Sequence, residues 1–269
     1  MLAVNEFSRS ELARIYLLGT QLTPYSREQM LVTTERIITS GHKGIVLSGN
    51  VLAFNLAYEQ EDLRDFFNQA NAVRLDGSGV RLGARILGYD IPGRMTWADF
   101  GWDLARLCEQ RGFTLFFLGA KPGIADKAAA RLKDRFPDLR VVGTQHGYFD
   151  KTRDSLENSA VIQRINAIKP NILIVGFGMP LQERWLMDNW DDIGPNVTFT
   201  GGAVFDYISG NLRRPPIWMT DHGLEWLGRL IIEPRRLWRR YLLGNPAFLW
   251  HVLNQRLKSH SFSGRVNTT

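Results

Sequence analysis

The chain contains almost no cysteine and no long apolar run. Cys108 is the one cysteine in 269 residues, so a disulfide framework is excluded and no second cysteine is present to share a metal. No stretch approaches the roughly 18 apolar residues that a membrane-spanning helix needs. The first residues also lack the basic and apolar regions of a signal peptide. We therefore expect a protein of the reducing cytoplasm that does not cross a membrane.

Several signatures of enzyme chemistry are missing as well. The sequence has no G-x-S-x-G elbow, no Walker loop and no D-x-D pair for a metal-bound nucleotide, and its five histidines are scattered. Gly176-Phe177-Gly178 does not continue into the G-x-G-x-x-G fingerprint of dinucleotide sites. We predict neither a metal nor an organic cofactor, and a nicotinamide-dependent oxidoreductase is a weaker alternative.

Positive charge is concentrated near the C-terminus. Residues 211–269 hold ten Lys and Arg against three acidic residues, whereas residues 1–210 hold 23 against 24. Such asymmetry is typical of proteins that contact nucleic acid, anionic lipid or phosphorylated substrates. Nucleic acid is the least favoured of these partners, because the tail has no helix-turn-helix or RNA-binding signature.

Short apolar runs alternate with helical patterns over the first 210 residues. Six runs rich in β-branched or aromatic residues predict strands, at 45–47, 72–75, 114–118, 140–142, 172–175 and 197–199. The helical patterns between them include residues 100–111, 124–136 and 181–190. This alternation predicts an α/β fold with a mostly parallel sheet and helices on both faces. We assign an α/β domain to residues 1–215 and a helical appendage to residues 216–269.

Nearly every predicted strand ends in glycine and small polar residues. In an open parallel sheet these carboxyl ends line one crevice where ligands bind, and the helix N-termini that follow offer free N–H groups to phosphate. Each glycine alone is better explained by a tight turn, but five such ends together favour a nucleotide-binding crevice. The residues predicted to line it are Ser48, Asn50, Gly119, Gly176, Gly178, Gly201 and Gly202.

Asp76 is the strongest candidate for a catalytic carboxylate. It directly follows the apolar run 72–75 and precedes Gly77, which places it at the mouth of the crevice. A partly desolvated carboxylate there can act as a general base toward a sugar hydroxyl. A simple Asp-Gly turn explains the same spacing equally well.

Two further pairs of polar residues lie near predicted strand ends. Arg94 and Asp99 follow a Pro-Gly break; an arginine there can clamp phosphate, although surface salt bridging is its commoner use. Gln182 and Glu183 occupy the first turn of a helix. That position suits contact with a ligand, but a glutamate there also complements the helix dipole.

The last fifth of the chain predicts short basic helices. Pro234 interrupts the helical patterns 223–233 and 235–243, and a third pattern follows at 246–257. The second pattern carries four arginines on adjoining faces, and four of the eight tryptophans lie in this part of the chain. Basic residues with interfacial aromatics are typical of helices that lie on a membrane surface. A solvated basic helix pair packed on the domain is the alternative.

Five stretches occur together in an order that is highly specific. They are LDGSGV around Asp76, RMTWAD at 94–99, GFGMPLQERW at 176–185, GGAVFD at 201–206 and GLEWLGRLIIEPRRLWRRYLLGNP at 223–246. With them the chain resembles the WecG/TagA/CpsF glycosyltransferases from about residue 17 to residue 248. The resemblance implies a Rossmann-like core with a C-terminal appendage that binds the cytoplasmic face of the membrane. It also implies metal-independent, inverting transfer from a UDP-sugar to a polyprenyl-diphosphate-linked saccharide.

The resemblance assigns roles to individual residues. It implies that Asp76 is the catalytic base and that Asp206 lies near the donor nucleotide. It places at the sugars and the donor Ser48, Asn50, Arg94, Asp99, Gln182 and Glu183. It places at the lipid diphosphate the appendage arginines Arg229, Arg236 and Arg239.

Two departures from the family pattern flank the predicted pocket. Trp97 stands where the family has glycine, and Leu181 stands where it has lysine. The tryptophan offers a stacking surface for a sugar, and the leucine removes a cation. We therefore expect a substrate other than that of the N-acetylmannosamine systems, such as glucose for an exopolysaccharide. A non-catalytic membrane scaffold is the alternative from another class, and a homo-oligomer is compatible with the sequence.

Overall fold

The computed structural model describes residues 14–93 and 95–263. The strands are β1 Ile15–Leu17, β2 Thr20–Leu22, β3 Gly44–Gly49, β4 Ala72–Leu75, β5 Thr114–Gly119, β6 Arg140–Gln145, β7 Ile172–Gly176 and β8 Val197–Thr200. The helices are α1 Arg27–Thr39, α2 Val51–Glu59, α3 Glu61–Gln69, α4 Ser78–Ile86, α5 Trp97–Arg111, α6 Ile124–Arg135, α7 Leu156–Ile168, α8 Leu181–Asn189, α9 Val204–Ser209, α10 Ile217–Asp221, α11 Glu225–Ile232, α12 Pro234–Trp238 and α13 Gly244–Ser263. A 3-10 turn, Trp190–Asp192, follows α8, and a π-helical turn, Arg239–Leu243, joins α12 to α13.

Six parallel strands form the central sheet, in the order β4-β3-β8-β7-β5-β6. They are the six strands predicted from the apolar runs, since strands covered on both faces are apolar throughout. Consecutive residues such as Leu173 and Ile174 pack into cores on opposite sides of the sheet. Helices α2, α3, α4, α7, α8 and α13 contribute to one core, and α1, α5, α6 and α9 to the other. The predicted α/β architecture is confirmed.

A short hairpin, β1 and β2, closes the β4 edge of the sheet. The chain after β2 lies along β4, where the Thr23 amide donates to the Val73 carbonyl at 2.8 Å. The Val73 amide in turn donates to the Thr23 hydroxyl at 3.0 Å. This pairing protects an edge that would otherwise be open to another chain.

The ends of β5 and β7 come unusually close together at the carboxyl edge of the sheet. Gly119 pairs with Gly176 in the parallel register. Gly119 has a φ of +147°, and a side chain there would collide with the Gly176 backbone. Only glycine tolerates both conditions, so this part of the predicted crevice wall depends on Gly119.

The C-terminal helices return to the sheet domain and pack on it. Phe248 and Val252 of α13 are fully buried, and the Phe248 ring lies 6.1 Å from that of Phe54 in α2. The Leu18 amide donates to Gln255 Oε1 at 2.8 Å. The predicted interruption at Pro234 is confirmed, because α11 ends just before this residue and α12 begins with it. Among the described residues, no helix is long and apolar enough to span a bilayer.

Candidate active site

Three cavities, of about 1180, 420 and 800 Å³, open along the carboxyl edge of the sheet. We call them the glycine cavity, at the loops after β5 to β8; the central cavity, at the ends of β3, β4 and β8; and the helical cavity, between α4, α11 and α13. Gly178 and Gly202 line both the glycine and the central cavity. Asp76 and Arg240 line both the central and the helical cavity. The three cavities therefore form one continuous crevice.

Asp76 lies at the junction of the central and helical cavities. Its amide donates to the Gly49 carbonyl at 2.9 Å, which continues the pairing of β4 with β3 for one residue. Its carboxylate is 26% exposed and lies 3.6 Å from an Nη atom of Arg74. A half-buried carboxylate at this junction can accept a proton from a ligand that enters either cavity.

Ser48 and Asn50 line the central cavity beside Asp76. The Ser48 hydroxyl donates to the Thr200 carbonyl at 2.7 Å, which joins β3 to β8. The Asn50 side-chain oxygen caps α2 by accepting from the Ala53 amide at 3.1 Å. Both residues are thus fixed by backbone contacts, and this fixes the floor of the cavity.

Gln182 ties together two of the glycine loops. Its side-chain oxygen accepts from the Gly202 amide at 2.9 Å and from the Gly178 amide at 3.3 Å. Its side-chain nitrogen donates at 2.8 Å to Glu183, which is fully buried. Burial raises the pKa of Glu183 to about 7. In this structure the predicted pair Gln182 and Glu183 shapes the loops between the glycine and central cavities.

The other predicted residues differ in their relation to the crevice. Gly176 and Asp206 line the glycine cavity, and Asp206 accepts from the Asn211 side chain at 3.0 Å. Asp99 lines none of the three cavities: both of its oxygens accept from Arg214 at 2.7 Å. That ion pair fastens the segment leading to the appendage onto α5. Arg94 lies outside the described residues.

Gly201 lines the central cavity, whereas Gly119 lines none of the three and acts through the close approach of β5 to β7. Trp97, the first departure from the family pattern, is only 4% exposed. Its indole nitrogen donates to the Thr200 carbonyl at 2.9 Å. Trp97 lines the central cavity, but its ring packs against Phe100 and Phe199, so most of the expected stacking surface for a sugar is covered.

Arginines of the appendage face Asp76 across the crevice. Arg229 and Arg240 line the central and helical cavities, and Arg236 lines the glycine and central cavities. Arg239 is exposed, lines none of the three, and lies 5.2 Å from the Trp238 ring. Arg236 and Arg240 both line the central cavity, and the π-helical turn begins between them, at Arg239.

Arg74 and Arg240 were not among the predicted site residues, although Arg240 belongs to the four-arginine pattern of the appendage. Arg74 belongs to β4 and is fully buried, yet it is charged in a run of apolar residues. That contrast was the available signal, because an arginine inside a buried strand needs a partner. The i, i+4 spacing from Arg236 was the corresponding signal for Arg240.

A family model described as glycosyl transferase WecG/TagA/CpsF matches residues 15–261. The N-acetylglucosaminyldiphosphoundecaprenol N-acetyl-beta-D-mannosaminyltransferase of Bacillus subtilis (strain 168) is 27% identical over 207 residues, which make up 77% of this chain and 77% of that protein. The protein of the same name from Staphylococcus aureus (strain NCTC 8325 / PS 47) is 26% identical over 255 residues, or 93% of this chain and 96% of the relative. Since the family match covers nearly the whole chain, the protein belongs to the WecG/TagA/CpsF family of glycosyltransferases, as its motifs predict.

Proposed function

We propose that the protein transfers a sugar from a UDP-sugar to a polyprenyl-diphosphate-linked saccharide. The observation that carries the proposal is the position of Asp76 at the junction of the central cavity, which Gly178, Gly201 and Gly202 also line, and the helical cavity, which the basic appendage lines. The two relatives are named for transfer to N-acetylglucosaminyl-diphosphoundecaprenol, an acceptor with the same diphosphate chemistry.

The glycine cavity is the proposed site of the donor nucleotide. Tyr148, Phe149 and Phe177 line it and offer aromatic faces to a base. Lys121 and Lys151 line it as well and supply positive charge for phosphate groups. The passage to the central cavity, between Gly178 and Gly202, then directs the sugar toward Asp76.

The proposed reaction is a single displacement. Asp76 takes the proton of the acceptor hydroxyl while that oxygen bonds to the anomeric carbon of the donor sugar. The bond from the anomeric carbon to the UDP oxygen breaks, and UDP leaves with the electron pair. Attack from the side opposite the leaving group inverts the anomeric centre.

Charge on the two diphosphates is offset by the appendage. Arg236 lines both the glycine and the central cavity, where the leaving UDP would lie. Arg229 and Arg240 line the helical cavity, where we place the diphosphate of the acceptor lipid. Fixed cations in a partly desolvated site stabilise developing negative charge more strongly than water does.

The donor sugar is proposed to be a hexose or an N-acetylhexosamine, with a plain hexose such as glucose favoured. Leu181 lines the passage between the glycine and central cavities and removes the cation that the family carries there. A panel of UDP-sugars, incubated with purified protein and mixed polyprenyl-diphosphate saccharides in detergent, tests the function. A labelled lipid product from one donor identifies the sugar. Exclusive use of UDP-N-acetylmannosamine would rule out the hexose, and no product from any donor would count against the transferase proposal.

We further propose that the appendage binds the cytoplasmic face of the membrane during the synthesis of a cell-surface polysaccharide. Large apolar side chains are exposed on α10 to α13 and the π-helical turn. They are Trp218, Ile231, Ile232, Trp238, Leu242, Leu243, Trp250, Leu253 and Leu257. Arg235 and Arg239 are exposed on the same segments. Apolar side chains next to cations are what an anionic bilayer surface attracts.

Replacing Leu242 and Leu243 by serine is expected to weaken binding to anionic vesicles by about tenfold or more. A fully buried leucine is worth about 1.5–3 kcal/mol, and 1.4 kcal/mol is about tenfold in affinity. Co-sedimentation with vesicles of stated anionic content measures the change. Leu156→Ser is the matched control, because Leu156 is 88% exposed at the start of α7, outside the appendage. Equal binding by all three proteins would contradict a membrane role for these leucines.

A further inference from the structure

Arg74 is a buried cation directly below the crevice. Its side chain is fully buried on β4 and lines none of the three cavities. Burial lowers the pKa of Arg74 to about 10, and the negative charge of Asp76 opposes this effect. The guanidinium therefore stays charged at neutral pH. A buried charge costs folding free energy unless it is paired and hydrogen-bonded. The contacts of the Arg74 guanidinium therefore indicate its role.

Those contacts fix the guanidinium on several sides. One Nη atom donates to the Ser48 hydroxyl at 2.7 Å, and the other donates to the Met95 carbonyl. The guanidinium carbon lies 4.5 Å from the Trp97 ring centroid, as in a cation–π contact. Trp97 is itself held by its bond to Thr200. The fixed guanidinium then lies 3.6 Å from the Asp76 carboxylate.

We propose that Arg74 is a positioning residue that holds the Asp76 carboxylate in place for sugar transfer, with Ser48 and Trp97 holding Arg74. The inference rests on the proposed function for its catalytic consequence. Ser48 and Arg74 lie opposite each other in the parallel register of β3 and β4. The pairing of the two strands therefore already brings these residues together. Trp97, which departs from the family pattern, thus gains a role as a support for Arg74.

The other charged and titratable groups near Asp76 come from the opposite side. Arg229, Arg240 and Tyr207 interact with it electrostatically, and Glu225 lines the same two cavities. Arg229 and Arg240 are available to substrate diphosphates. A bound diphosphate would therefore compete with Asp76 for these two cations. Because Arg74 lines no cavity, substrates cannot reach it. It is the cation that stays paired with Asp76 when the crevice is filled.

Steady-state kinetics of Arg74→Met and Arg74→Lys test the positioning role. We expect Arg74→Met to lower kcat at least about tenfold with KM for both substrates within about twofold, since small misplacements of a reacting group cost rate. Arg74→Lys should recover part of the lost kcat, because lysine keeps the positive charge. The recovery should be incomplete, because lysine lacks the planar guanidinium that donates to two acceptors at once. Arg111→Met is the control, since Arg111 pairs with Glu35 at 2.6 Å, away from the crevice. A folded Arg74→Met with wild-type kcat, or a Lys variant no better than Met, would overturn the proposal.

Thermal unfolding tests the pairing without relying on transferase activity. We expect Asp76→Asn to lower Tm by about 2–4 °C, as for a loss of about one interaction in a chain of this size, because Arg74 loses its partner. The same change in an Arg74→Met background should lower Tm by much less. An unchanged or raised Tm for Asp76→Asn would refute the pairing. Equal losses in both backgrounds would refute it too, by assigning the effect to Arg229 and Arg240. If the wild type transfers no sugar, the proposed function fails, but the Tm comparison still tests whether Arg74 pairs with Asp76.

Discussion

Replacing Asp76 by asparagine is expected to lower kcat by about 10²–10⁴-fold, the usual cost of removing a positioned general base. The amide has nearly the shape of the carboxylate but cannot take the proton of the acceptor hydroxyl. Donor binding should persist, because the glycine cavity where we place UDP does not include Asp76. The loss is therefore expected in turnover and not in affinity for the donor.

The measurement is transfer of a labelled sugar to lipid in detergent, with donor affinity determined separately by calorimetry. Asp103→Asn is the matched control, because Asp103 pairs with Arg27 and Arg106 on the surface of α5. Near-normal turnover by Asp76→Asn would refute the general-base assignment. The scaffold alternative makes a further distinct prediction, since a non-catalytic protein with Asp76→Asn would still restore polysaccharide synthesis fully in a deletion strain.

Most strands of the central sheet were predictable because both of their faces are buried, whereas the edge strand β6 is only partly buried. Residues 172–175 are apolar throughout, and β7 extends from Ile172 to Gly176. Helix α6 was predicted to within one residue, since it lies between clear glycine and proline signals. The β1–β2 hairpin was not predicted, because strands of three residues carry too little periodic signal. Its place is set by tertiary contacts with β4.

The position of the candidate site was predictable, whereas the partners of its side chains were not. Strand ends meet at one edge of any parallel sheet, so Ser48 and Asp76 were placed together by topology alone. The ion pair of Asp99 with Arg214 joins residues 115 positions apart, and no local pattern specifies such a contact. The burial of Trp97 was also unpredictable, because an indole ring can either pack inside the protein or lie exposed as a stacking surface for a sugar.

Replacing Arg240 by methionine is expected to lower kcat/KM by about 10²-fold, in the range found when one preorganised group that stabilises charge is removed. Arg240 lines the central and helical cavities with Asp76. Arg239→Met should cost less than about threefold in detergent, because Arg239 is exposed and lies against Trp238. The two variants lose the same charge from adjacent positions. A difference in kcat/KM between the two variants would therefore reflect the position of each arginine on the π-helical turn and not the net charge of the appendage.

The comparison is made on detergent-solubilised acceptor, which separates catalysis from attachment to a membrane. Arg235→Met is the additional control, since Arg235 is exposed on α12 and lines none of the three cavities. Equal losses at Arg239 and Arg240 would indicate that the appendage acts through its overall charge. A larger loss at Arg239 would show that the π-helical turn is arranged differently when the acceptor is bound. The expected order, with Arg240 far more sensitive, follows only if the turn directs Arg240 toward Asp76 during the reaction.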